Sequence, residues 1–166
     1  MIDRVDPAPG QDEKTTMLAF IDYHRATFAW KCDGLDAGQL ATRAAPPSDL
    51  SLLGLLQHLA DVERGWWGRV IGQENRPKYY DDGQPSSSIR NVSADADAVA
   101  KAYANWHEAV AEGRAVAAAA DLDQWFDSRH GRLTVRWLLA HLLEEYARHN
   151  GHADLLREAI DGSVGE

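Results

Sequence analysis

The 166-residue sequence predicts an all-α fold, a four-helix bundle, on three observations. Four segments repeat apolar residues at helical spacing. No segment reads as a convincing run of strands. The breaks between the four fall at glycine, proline and capping residues, which is where helices stop and start.

The first helix is expected from about Glu13 to Cys32, with Met17, Phe20, Ile21, His24 and Phe28 on one stripe and Gly34 as its stop. A loop over 36–49 carries Pro46 and Pro47, and Ser48, Asp49 and Ser51 are cap candidates for the second helix. That helix reads LSLLGLLQHLADVERGWWGRVIG and ends near Gly72. Its inward face is Leu52, Leu55, Leu59, Val62 and Trp66, with His58 on or beside that face and Asp61 expected on another side. Residues 73–93 are polar and rich in serine, proline and glycine, and a loop of that length is often functional or mobile. The third helix spans roughly Ala94 to Ala120, with Val99, Tyr103, Trp106 and Val110 on one face. A further loop, DLDQWFDSRHGRL, carries an aromatic and a basic pair. Thr134 caps the last helix, which runs to about Ile160 before Gly162. The whole chain, 1–166, is expected to be one domain, with residues 1–12 a flexible N-terminus.

Composition narrows the function. A formal net charge of −9 lacks the electrostatic footprint that holds a phosphate backbone, so nucleic acid is not an expected partner. No apolar run approaches the roughly 18 residues of a membrane span, and the N-terminus has no signal-peptide core. Cys32 is the only cysteine and can form neither an internal disulfide nor a multi-cysteine zinc site. A reducing cytoplasm is the expected compartment, and the arginine- and alanine-rich composition is of a bacterial kind.

The chemistry concentrates on the last helix. His141, Glu145, His149 and His152 are spaced by four, four and three, which places them within an arc of about 80°. Glu145 and His149, one turn apart, can both reach one metal, as in proteins with a His-Glu-x-x-His helix. A catalytic zinc takes three protein donors and keeps one open position. His58, on a different helix, is the natural third donor. A lone inward histidine is more often a hydrogen-bonded core residue and a lone Glu145 a surface carboxylate. Together they complete a His, Glu, His set. His152, and less so His141, are candidates for fixing a ligand or moving a proton. Arg148 is a candidate contact for an anionic substrate, against the alternative of a surface charge paired along its helix. Trp66 and Trp67 are candidates for a pocket wall near His58, at least one of them being core. Glu63 has the wrong order and spacing for a di-iron carboxylate bundle.

The segments SLLGLLQHLADVERGWW and LTVRWLLAHLLEEYARHNGHADLLRE, with the opening DYHRATFAWKCDGL, resemble the DinB-like superfamily, in particular its actinobacterial mycothiol S-transferase branch. The resemblance covers nearly the whole chain. It implies a bundle of DinB-like type with an unusual helix order, and a divalent metal held by three side chains, zinc first, with nickel as an alternative; a carboxylate is a harder ligand than imidazole, which adds manganese or iron. Many members pair a histidine of the second helix with His-x-x-x-His on the last. Here Glu145 stands at the first position of that pair, as in the mycothiol-dependent maleylpyruvate isomerases. The implied activity is thiol S-transfer: the metal activates a low-molecular-weight, mycothiol-like thiol as its thiolate for conjugation to a small electrophile, a detoxifying reaction. The alternatives are a metal-dependent isomerase or hydrolase, and a non-enzymatic metal-binding stress protein. A homodimer is compatible with the sequence.

Overall fold

The computed structural model describes residues 4–73 and 75–165. Residues 1–3 of the expected flexible N-terminus and position 74 of the expected loop lie outside them. Arg4 contacts the first helix, donating to Thr27 Oγ1 (3.1 Å) and Tyr23 Oη (2.6 Å).

Four long helices carry the fold. They are α1 (Glu13–Cys32), α3 (Leu52–Val70), α5 (Ala96–Ala119) and α6 (Val135–Asp161), with short helices α2 (Ala37–Ala41) and α4 (Ser87–Arg90) in the connections. Each long helix begins at a side-chain cap. Asp12, Ser51, Asp95 and Thr134 accept from the backbone N–H three residues on, satisfying a donor that the first turn leaves unpaired. Ser51 and Thr134 are caps expected from the sequence. At the far end of α6, Gly162 takes the left-handed conformation (φ 78°) that a helix exit favours and a side chain would strain.

The helices pair α3 with α5 and α1 with α6, and α3 also meets α6. Leu52, Leu55 and Leu59 of α3 are buried as expected, and so are Leu138, Leu142 and Tyr146 of α6. Two expectations fail. Phe20 is exposed while Ile21, placed on the same expected stripe, is buried, because neighbouring residues of a helix point about 100° apart. Val62 and Trp66 are only half-buried, and Glu63, Trp67 and Val70 face the core instead. The expected stripe steps alternately by three and four residues, a period of 3.5, and over four turns it drifts by about 40° around a helix of 3.6 residues per turn, so a face assigned at one end does not hold at the other.

The largest departure from the sequence reading is a hairpin. The segment expected to be a loop forms β1 (Trp125–Ser128) paired antiparallel with β2 (Gly131–Thr134), joined through Arg129 and His130. Strands of four residues are too short to show a period of two, and Arg-His is not one of the dipeptides that announce a hairpin turn. The hairpin is docked through Gln124, whose Nε2 donates to Val70 O (3.4 Å), and through Phe126 against Trp66.

At the centre of the bundle lies a buried ion pair. Arg25 of α1 donates from Nε and Nη2 to the two carboxylate oxygens of Glu63 on α3, both at 2.8 Å. Glu63 also accepts from Trp67 Nε1 and from Tyr146 Oη of α6, each at 2.9 Å, and Tyr146 Oη accepts from Trp106 Nε1 of α5 at 2.9 Å. Burial works against the Arg25 charge, but Glu63, Tyr146 and Asp22 outweigh it and hold its pKa above the ordinary arginine range. Gly113 of α5 leaves the space that Trp67 fills, since a Cβ there would stand 2.5 Å from the indole. Removing one partner of a buried pair strands the other charge. Glu63→Gln is therefore expected to destabilise the protein by about 3 kcal/mol, read as a lower urea midpoint, and a change under about 1 kcal/mol would refute this account of the core.

Candidate metal centre

Helix α3 sends one stripe out of the core. His58, Asp61, Val62, Gly65, Trp66 and Arg69, spaced by three and one, all line a single cavity of about 420 Å³. Asp61 is therefore on the same side as His58, contrary to the sequence expectation, because i and i+3 positions are neighbours on a helix surface. Trp137, His141 and Glu145 of α6 form the facing wall, Arg129 and His130 come from the hairpin turn, and Lys78 and Ser88 from the segment after α3. That segment is tied to α3 by Asp61, which accepts from Tyr79 N at 2.7 Å, and by Arg64, which donates to Pro77 O at 2.7 Å. Burial raises the Asp61 pKa, with the Tyr79 N–H and the Lys78 charge acting in the opposite direction.

At the edge of this cavity the three residues expected as ligands meet. His58 Nε2 stands 3.5 Å from Glu145 Oε2, and His149 Nε2 stands 3.3 Å from the same oxygen. Donor atoms of His58, Glu145 and His149 all lie within 4.8 Å of one another. Two ligands at zinc distances of about 2.1 Å around a tetrahedral ion are about 3.4 Å apart, and each histidine stands from the Glu145 oxygen at close to that separation, so the three residues could hold a small divalent cation. His149 is buried, while His58 and Glu145 are half-buried. The hydrogen bonds of His149 and His58 outweigh burial and hold the Glu145 carboxyl well below the usual carboxylate range, so it is an anion ready to ligate.

His152 stands behind His149. The two Nδ1 atoms are 3.2 Å apart. Burial, with the His149 and Arg148 charges adding to it, lowers the His152 pKa and favours the neutral ring. A cation on His149 Nε2 would fix that ring's proton on Nδ1, where His152 Nδ1 accepts it. His141 approaches the other carboxylate oxygen of Glu145 (3.4 Å) and stacks on Trp137. With Glu144 and Glu145 it makes a second cluster of donor atoms. Arg148 is exposed, donates to Glu144 one turn back (2.7 Å), and is not among the residues that line the cavity. Of the tryptophan pair, Trp66 lines the cavity and Trp67 is core.

The family model for mycothiol S-transferases matches residues 16–162. The chain belongs to the mycothiol S-transferase family. The matched span contains every residue of the cavity and the three-donor cluster, and it bears out the resemblance carried by the second and last helices. No curated protein matches the chain. Mycothiol S-transferases form a transferase family. Among the described residues, no helix is long and apolar enough to cross a membrane.

Several residues of the cavity went unmarked by sequence reasoning, namely Arg69, Lys78, Trp137 and the hairpin pair Arg129 and His130. Trp137 precedes His141 by one turn and shares its face, which was the one available signal. The others depend on how loops fold over α3. Cys32 lies in the core away from the cavity, and burial pushes its thiol up to about 12 although Tyr103 and Arg157 oppose the shift. A thiol with so raised a pKa is deprotonated in about one molecule in ten thousand at pH 8. Cys32 should resist iodoacetamide at that pH in the native protein and react promptly in urea, as followed by mass spectrometry. Rapid native labelling would contradict its buried position.

Proposed function

We propose that this chain conjugates a low-molecular-weight thiol of the mycothiol type to a small electrophile, using a divalent cation, zinc in the first instance, held by His58, Glu145 and His149. The observation that carries this reading is the convergence of three donor atoms from two helices at the edge of an open cavity. Three protein donors are the number that catalytic zinc sites use, and structural sites use four. A divalent cation at this place would supply the positive charge that lowers a thiol's pKa and favours the thiolate.

The protein's own groups then have distinct tasks. His58 and His149 approach one oxygen of Glu145 from two helices, so α3 and α6 must keep their relative register for the site to exist. His152 fixes the ring of His149 and its tautomer. His141 holds the second oxygen of Glu145 and packs on Trp137 and Trp66. Arg148 has no part in this reading, because Glu144 holds it on the outer face of α6. In the reaction, a carbon–sulfur bond forms as the electrophile's leaving group departs with the electron pair of the broken bond, and the thiol proton passes to solvent.

Elemental analysis of the purified protein should give near-stoichiometric metal that is lost in both His58→Ala and His149→Ala, together with mycothiol-dependent conjugation of a small electrophile. Protein that stays metal-free when zinc, nickel and manganese are offered removes the metal mechanism. His152→Ala should keep the site but weaken it, by about 10- to 100-fold in metal affinity measured by chelator competition. An unchanged affinity would show that the contact between the two histidines does not support the ligand.

A further inference from the structure

The cavity has a character that metal ligation does not require. Flat rings from α3, α6 and the hairpin turn meet on one side of it. Trp137 and His141 stack at 4.9 Å with 22° between their planes, Trp66 meets both edge-on or tilted at 5.0–5.5 Å, and His130 lies parallel to Trp66 at 6.4 Å. The rim is cationic. Arg69, Lys78 and Arg129 line the cavity against two carboxylates, Asp61 and Glu145, in a protein whose net charge is −9. Arg69 lies over the Trp66 ring at 5.1 Å. Arg129 donates to His130 at 3.0 Å, so its charge is directed to an imidazole and not to an acid. Lys78 is exposed and feels the Asp61 carboxylate, whose oxygen is already engaged by Tyr79 N.

Resting on the transferase reading above, we propose that the second substrate is a flat, conjugated electrophile carrying an anionic group. The ring system lies against Trp66 and Trp137, and the anion is bound by Lys78 and Arg129. A flat face on tryptophan gains area and stacking, and a charge-assisted contact at the rim selects anion over neutral. The two cations come from different loops, one after α3 and one at the hairpin turn, and both loops are pinned to α3. With an aryl chloride as substrate, the thiolate sulfur bonds to the ring carbon, chloride leaves with the carbon–chlorine electron pair, and the thiol proton goes to solvent.

The test separates binding from turnover. Calorimetric titration of the full-length protein with 3,5-dinitrobenzoate and with neutral 1,3-dinitrobenzene compares two probes of the same ring. The anion should bind about ten-fold or more tighter, and the preference should fall close to parity in the Lys78→Gln/Arg129→Gln double variant, both positions being exposed so that folding is not at stake. Equal binding of the two probes by the native protein would overturn the proposal. So would a preference that survives the double substitution, since the anion would then be held by the metal or by another group. The reactive pair 4-chloro-3,5-dinitrobenzoate and 1-chloro-2,4-dinitrobenzene, offered with mycothiol, reports on the transferase reading separately. Failure to conjugate either, with the binding preference intact, would sink the transferase reading and leave the anion site standing.

Discussion

The structure depends on a charge that the bundle cannot leave alone. Glu63 is fully buried and carries bonds from Arg25, Trp67 and Tyr146, while Trp106 adds a bond to Tyr146. Through this one carboxylate, all four long helices are tied by directional contacts. Apolar packing tolerates sliding, because Leu against Leu is nearly as good one step along. A bidentate guanidinium–carboxylate pair does not, and a buried acceptor left unpaired is costly. The network therefore fixes the register of α1, α3, α5 and α6, which their apolar stripes would only approximate.

The proposed metal centre inherits that register. His58 lies five residues before Glu63 on α3, and Glu145 immediately precedes Tyr146 on α6. The Tyr146–Glu63 hydrogen bond thus locks the two helices within about two turns of where His58 and Glu145 meet. Neighbouring positions on a helix point about 100° apart, so Tyr146 reaches the core while Glu145 reaches the cavity edge. The same geometry splits α3, with Glu63 and Trp67 turned inward and His58, Val62 and Trp66 turned to the cavity. Rigid helices bearing the donors, backed by His152, are the arrangement that holds a first coordination shell within tenths of an ångström.

The four long helices were legible because their signals are local. Apolar spacing of 3.6, Ser51 and Thr134 as caps, and Gly162 as a stop act within one or two turns. The three-donor cluster was legible for a related reason: Glu145 and His149 are placed together by helix geometry alone, and His58 sits mid-helix beside the apolar face of a different helix. The hairpin, the exposure of Phe20 and the placement of Asp61 were not, since each depends on which neighbouring element arrives. Nothing within DLDQWFDSRHGRL distinguishes a loop from two four-residue strands until Phe126 and Gln124 find α3 to pack on.

The sequence by itself determined the four long helices, the caps at Ser51 and Thr134, the spacing of Glu145 and His149, and the family. Those are properties of the backbone period and of residue order. Tertiary structure decided which carboxylate is core and which meets the two histidines, since Glu63 and Glu145 are the same residue type in similar helical surroundings and differ only in what α1 and α3 bring to meet them. It also decided that Trp66 and Trp137 line one cavity with Lys78 and Arg129. Cavities form between elements, and no local rule states what two loops far apart in sequence will hold over a third.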